Sequence, residues 1–506
     1  MKNFISVFMM FIACSATASI DEPLEISSGK ITGLTLDSGT QAFLGIPYAA
    51  APVGDLRWKA PRAPIPWSGV RIVDRHGPAC IQRRDTYMSE DCLFLDIWTN
   101  GQVNDELPVM VWIHGGGWTF GSNSQDIYDG EAFANNGVVL VSVNYRMNSF
   151  GWMAHPDLSK ESEVGVSGNY GILDHIAALE WVQENIEQFG GDKDNVTIFG
   201  ESAGGGSIYA LLATEKASGL FHKAISESTW IHPDNVTNLK KSNGFNDSAE
   251  MLGKQAIDKK LGTLNGNVLD RMRAMSAQEV LALEHSVALI VDGWLFDEDP
   301  AETFLKGEHN NVPIISGYND GEGLMFVRQA NAPSTIEEQR VRRSQQLGAL
   351  GEGLVDFYVA ETVESIYDKE VDYSSDRIFI RASRELSLAG ARVGQPDTYL
   401  YVFERNANDS SQRASHFMEV PYVFNNLPMR ASREDKELAV LINDYWVQFA
   451  KTGSPNQSEL PFWPAYDLER RRHQILDIEI SQGENDRKEE LDLMDSYIRD
   501  TYRDSK

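Results

Sequence analysis

Gly200-Glu201-Ser202-Ala203-Gly204 decides how this chain is read. It follows a short β-type run, Val196-Thr197-Ile198-Phe199, and leads into a small-residue, helix-compatible stretch from Gly204 to Leu212. A serine on so sharp a strand-to-helix turn has its hydroxyl pushed clear of the backbone. The flanking glycines are needed because a Cβ there would collide with the neighbouring strand and helix. The helix that begins just after it points amide N–H groups at any oxyanion formed beside the serine. Five-residue matches arise by chance, so the strand before and the helix after carry the weight.

A nucleophilic serine needs donors for the developing oxyanion. Upstream, a buried-strand run, Pro108-Val109-Met110-Val111-Trp112-Ile113, is followed at once by His114-Gly115-Gly116-Gly117-Trp118. Three glycines after a strand let the backbone turn tightly and present bare N–H groups. The amides of Gly116, Gly117 and Ala203 are assigned as the oxyanion hole. Alone, the triple glycine would read as a flexible loop; paired with Ser202 it does not.

Several longer motifs, in order, then carry a family resemblance. They include Phe43-Leu44-Gly45-Ile46-Pro47-Tyr48-Ala49, Pro52-Val53-Gly54-Asp55-Leu56-Arg57-Trp58, Ser89-Glu90-Asp91-Cys92-Leu93 and Val143-Asn144-Tyr145-Arg146. Gly168-Asn169-Tyr170-Gly171-Ile172-Leu173-Asp174, Asn185-Ile186-Glu187-Gln188-Phe189-Gly190-Gly191-Asp192 and Phe449-Ala450-Lys451-Thr452-Gly453-Ser454-Pro455-Asn456 follow. The chain resembles the type-B carboxylesterases, which include cholinesterases and the non-catalytic neuroligins. That resemblance implies an α/β-hydrolase fold and an acid and a base downstream of Ser202, in that chain order. Only His416 lies in text similar to the family's histidine loop, Ala414-Ser415-His416-Phe417-Met418-Glu419-Val420-Pro421-Tyr422-Val423-Phe424. Phe417 stands where the family usually has glycine. The acid loop is matched by Gly317-Tyr318-Asn319-Asp320-Gly321-Glu322-Gly323, after the strand-like Val312–Ser316, with Glu322 as the carboxylate and Asp320 as the fallback. His222 and His473 lie in charged text and are expected to be solvated. A serine–histidine–glutamate triad implies an activity that rises with pH as His416 loses its proton, with an apparent pKa of about 6 to 7.

Composition agrees with one large catalytic unit. The chain has 506 residues, 42% of them hydrophobic, with no linker, repeat or low-complexity tract. The run from Gly137 to Tyr145 reads as a central parallel strand, and Leu173, Ile176, Ala177, Val182 and Ile186 fall near a helical period. Alternating strand and helix text predicts a mostly parallel central sheet with helices on both faces. The expected organisation is a signal peptide over residues 1–18 and a single α/β-hydrolase domain over 19–506.

The leader is read from Lys2, an apolar run from Phe4 to Ala13, and the small residues Ala16-Thr17-Ala18. Secretion or export to the periplasm follows. Ile12-Ala13-Cys14 also loosely resembles a lipoprotein cleavage box, which leaves a lipid anchor at Cys14 as the alternative. For Cys80 and Cys92 the resemblance implies a loop-closing disulfide, worth roughly 3 kcal/mol in the chain-entropy model. The enclosed loop contains no tryptophan, whereas cholinesterases carry one there to bind the choline cation.

A formal net charge of −29 excludes a nucleic-acid or anionic-membrane binder on electrostatic grounds. No HExxH, CxxC or histidine cluster suggests a metal, and no cofactor or stable protein partner is implied. Acidic runs such as Phe296-Asp297-Glu298-Asp299-Pro300 read as solvated faces. Trp118 and Phe120 follow the glycine loop, and Trp230 follows a stretch that resembles a strand end near the family's acyl pocket. These three are the candidate pocket residues; Trp294, Phe326 and Phe417 sit in or beside nearby loops. Glu201 is read as a buried carboxylate, with either a raised pKa or a hydrogen-bonded structural role. The expected function is hydrolysis of neutral short-chain or aryl esters through an acyl-enzyme. A catalytically silent, neuroligin-like binding module is the rival, and it would lack the nucleophile.

Overall fold

The computed structural model describes residues 23–504 except 84–86, 263–265, 286, 396 and 410. The leader and Cys14 lie outside the described residues. One 11-stranded sheet organises the molecule. Its strands are β1 (Leu34–Thr35), β2 (Gln41–Pro47), β3 (Phe94–Thr99), β4 (Leu107–Ile113), β5 (Val139–Val143) and β6 (Gly191–Glu201). They continue with β7 (Lys223–Glu227), β8 (Ile314–Asn319), β9 (Thr398–Phe403), β10 (His473–Leu476) and β11 (Ser481–Gly483). Across the sheet the order is β1-β2-β3-β5-β4-β6-β7-β8-β9-β10-β11. Every neighbouring pair from β5 through β10 is parallel. The pairings at the two edges are antiparallel.

The near-continuous apolar text of the central strands follows from burial on both faces. Along β4, Val109, Val111 and Ile113 point into one core, and Met110 and Trp112 into the other. On the first face lie α1 (Tyr170–Asn185) and α2 (Ala203–Ala213). A further run comprises α3 (Ile366–Ser375), a π-helical turn at Asp376–Ile380 and α4 (Arg381–Arg392). Ile172, Leu179, Leu211 and Leu386 fill that side. The second face is covered by α5 (Arg433–Thr452) through Leu438, Ile442, Trp446 and Phe449. Burying each such side chain contributes about 1.5–3 kcal/mol. The mostly parallel sheet with helices on both faces is the architecture expected.

Because the strands from β4 to β10 are parallel, their carboxyl ends share one edge. In open α/β sheets the crevice outside those ends is where ligands bind. The loops leaving β4, β6, β7 and β8 all emerge there. Cys80 and Cys92 are joined in a disulfide on two buried sulfurs. His473 corrects its reading: it is buried in β10 rather than solvated, because the charged text around it is spent on ion pairs. Arg470, Arg471 and Arg472 meet Glu484, Asp492 and Asp467.

Candidate active site

Ser202 ends β6 and precedes α2 with φ 56° and ψ −119°, a conformation that costs an L-residue on the order of 1–3 kcal/mol. Three backbone bonds hold the turn. The Ser202 N–H donates to Glu227 O (2.9 Å), and the Ser202 carbonyl accepts from Gly206 N (2.8 Å) and Trp230 N (3.1 Å). Glycine is obligatory at 204, where a Cβ would lie 2.0 Å from Ile113 O. The loop after β4 approaches from the other side. Gly116 takes φ +107°, and a Cβ on it would lie 1.9 Å from Phe120 O. The Gly116 carbonyl accepts from Thr119 N and Phe120 N, which turns it away from the serine. Among the described residues, the amides of Gly116, Gly117 and Ala203 donate to no protein acceptor.

The acid loop after β8 and the histidine loop converge on this turn. Their backbones bridge at Gly321 and Ser415, and Gly321 N donates to Ala414 O (2.8 Å). The Nδ1–H of His416 donates to Oε2 of Glu322 (2.5 Å). Asp320 does not reach the imidazole; its Oδ1 accepts from Ala414 N (2.6 Å) and so holds the histidine loop. On the far side of the ring, Nε2 lies 3.1 Å from Oε1 of Glu201. Ser202 Oγ makes no hydrogen bond among the described residues in this ligand-free conformation. Catalytic hydrogen bonds are often long or misaligned before substrate binds.

A buried carboxylate cluster surrounds this pair. Glu322 Oε1 accepts from Asn319 N (2.8 Å) and faces Ser228 Oγ (2.5 Å). Ser228 Oγ also lies 3.1 Å from Glu419 Oε1, and Asn319 Nδ2 donates to Glu419 Oε2 (2.5 Å). Trp446 Nε1 donates to Glu227 Oε1 (2.8 Å). Burial raises the pKa of Glu201 and Glu227 well above the carboxylate range. Burial, reinforced by the charge of Glu322, takes Glu419 up to about 7. One hydroxyl hydrogen on Ser228 serves only one carboxylate, so a proton on Glu419 satisfies the second contact. For His416 burial acts downward, but the charges of Glu201 and Glu322 outweigh it and push the imidazole up to about 9.

Aromatic rings hold the imidazole. Phe379, from the π-helical turn, lies 4.3 Å from the His416 ring between centroids, and half-exposed Phe326 lies 5.7 Å away. Trp118 is fully buried. Its ring stacks on Trp152 (5.0 Å) and meets Trp230 edge-on (5.0 Å), while Nε1 donates to Ala203 O (2.9 Å). It therefore braces α2 under the glycine loop and does not open onto a pocket. Trp230 is partly exposed, with its ring 3.7 Å from where a Cβ on Gly117 would stand. Phe120 is half-buried beside Gly116.

Ser228, Asn319, Glu419, Glu227 and Phe379 were given no role in the sequence reading. For Glu419, Glu227 and Asn319 the only signal was position, within the quoted histidine-loop, strand-end and acid-loop text. Phe379 has no motif at all.

Known proteins place this arrangement. Residues 21–494 match the carboxylesterase family. The fumonisin B1 esterase of Sphingopyxis macrogoltabida is 35% identical over 487 residues, covering 92% of this chain and 88% of that protein. The para-nitrobenzyl esterase of Bacillus subtilis is 35% identical over 483 residues, covering 90% and 94%. Among solved structures, the carboxylesterase EST55 of Geobacillus stearothermophilus superposes with a TM-score of 0.82 at 32% identity, over 93% of this chain and 99% of that one.

Proposed function

The chain belongs to the carboxylesterase family and is a carboxylic ester hydrolase, and we propose that it is an exported serine esterase working through Ser202, His416 and Glu322. The observation that carries this reading is the 2.5 Å bond from His416 Nδ1 to Glu322. It fixes the tautomer that leaves Nε2 free to act as a base. As substrate binds, Nε2 takes the Ser202 proton while Oγ attacks the ester carbonyl. The oxyanion is received by the amides of Gly116, Gly117 and Ala203. Nε2 then gives that proton to the leaving alcohol, and the acyl–oxygen bond breaks to leave an acyl-enzyme. Water, deprotonated by the same nitrogen, repeats the sequence and releases the acid.

The substrates are neutral short-chain or aryl esters, a reading supported by Trp230 and the apolar wall beside Gly117. Residues 1–18 are proposed as a cleaved leader and 19–506 as one catalytic domain, with anchoring through Cys14 as the alternative route. A silent binding module on the same fold is disfavoured by relatives that carry esterase names. Replacement Ser202→Ala should lower kcat for a p-nitrophenyl ester by at least about 10³-fold while far-UV CD stays unchanged. A variant that keeps a tenth of the activity contradicts the reading.

A further inference from the structure

A cavity of about 610 Å³ reaches His416 from the side away from the oxyanion loop. Its walls include neither Ser202, Gly116, Gly117 nor Trp230, but they do include Phe417, Met418 and Leu427. This position matters for the reaction. The acyl group lies toward Gly117 and Trp230, whereas the leaving oxygen must face the imidazole that protonates it. The cavity is therefore on the alcohol side of the ester.

Its charge is unlike that of the molecule as a whole. Arg405, Arg430 and Asp435 all stand in its wall. Asp435 is saturated: it accepts from Arg405 Nε (2.7 Å), Tyr422 OH (2.8 Å) and Ser432 Oγ (2.6 Å). Arg430 has no acceptor among the described residues. Two guanidinium groups against one carboxylate leave a net positive wall. The overall charge of −29 disfavours an anion at a distance, but screening over about 8 Å at physiological salt leaves contact groups to decide. Phe417 adds a flat apolar surface, held at φ 78° in the position directly after the histidine.

We propose that this cavity binds the alcohol portion of the substrate and that Arg430, with Arg405 behind it, recognises a carboxylate on that portion. The favoured substrates are then O-acyl hydroxy acids, in which an apolar acyl group is joined to an alcohol or phenol bearing a carboxylate. This rests on the serine-esterase reading and extends it from the acyl to the alcohol side. Hydrolysis is unchanged in its balance. The acyl–oxygen bond breaks, the hydroxy acid leaves with the proton from His416, and water supplies the oxygen of the released acid. An anionic acyl group, as in a dicarboxylate monoester, gains nothing because it faces Trp230.

The test compares phenyl butyrate with 4-(butyryloxy)benzoate, each kcat/KM divided by the rate constant for hydroxide. The wild type should favour the carboxylated ester by about five-fold, the scale of a partly exposed ion pair. Arg430→Gln should bring that ratio to about one, and Arg430→Glu should invert it. Arg433→Gln, at a surface arginine paired with Glu437, should leave the ratio at the wild-type value. A wild-type ratio at or below one, or a ratio unmoved by both Arg430 replacements, overturns the proposal. Turnover of both esters that survives Ser202→Ala instead overturns the serine-esterase reading, so the two failures are distinct.

Discussion

Ser202, Trp118, Ser228 and Phe417 all hold positive φ values, between 49° and 78°, and all four are at or within a few residues of the reacting groups. Conformations of this kind persist only where surrounding contacts over-determine them. Around Ser202 those contacts are the backbone bonds from β7 and its following turn. Around His416 the chemistry is set by charge. Glu201 and Glu322 hold the imidazole proton above its ordinary range, up to about 9, and Glu201 itself is buried with a raised pKa. With Nε2 3.1 Å from Glu201, the two titrate as a unit. The base works unprotonated, so a raised pKa moves the rise of activity to higher pH. The kcat/KM profile should therefore climb with a midpoint above 6.5, in place of the 6 to 7 inferred from an ordinary histidine. Glu201→Gln should lower that midpoint by removing the nearest negative charge. A midpoint at or below 6.5 in both proteins contradicts this electrostatic account.

At the scale of elements, the strands and helices were legible where periodicity and burial agree. β5 occupies Val139–Val143 within the run read from Gly137 to Tyr145, and α1 spans Tyr170–Asn185 over the residues that showed a helical period. The elbow and glycine loop were legible because close backbone approach leaves glycine as the only choice. Glu419 and Ser228 were not, since a buried carboxylate has the same letter as a solvated one, and its depth is set by loops meeting across the sheet edge. Nor does sequence reveal the π-helical turn at Asp376–Ile380, where local text is ordinary helix and tertiary packing turns Phe379 onto the imidazole. The acid loop separates two neighbouring carboxylates by role. Glu322→Gln should cost kcat/KM at least about 10²-fold, because the imidazole loses its orienting acceptor. Asp320→Asn should cost far less, since Asp320 bonds only a backbone amide of the histidine loop. Steady-state kinetics on both variants decides it, and the reverse order would identify Asp320 as the acid.

Over the whole molecule, the parallel sheet brings residues from distant parts of the chain to one edge, and no single segment carries the site. The short Cys80–Cys92 loop contains no tryptophan, so nothing in it offers a π face to a quaternary ammonium. Butyrylcholine should accordingly be a poorer substrate than a neutral butyrate ester of similar size, with the difference in kcat/KM. A clear advantage for the choline ester would require another aromatic, such as Trp230, to form a cation site. Beneath all of this stands one claim, that Ser202 is the residue acylated. Treating the protein with an organophosphate and sequencing the modified peptide by mass spectrometry tests it directly. The account predicts a single phosphorylated residue, Ser202, with loss of activity in proportion to labelling and no label in Ser202→Ala. Stoichiometric labelling at any other residue, or inactivation that leaves Ser202 unmodified, would contradict it.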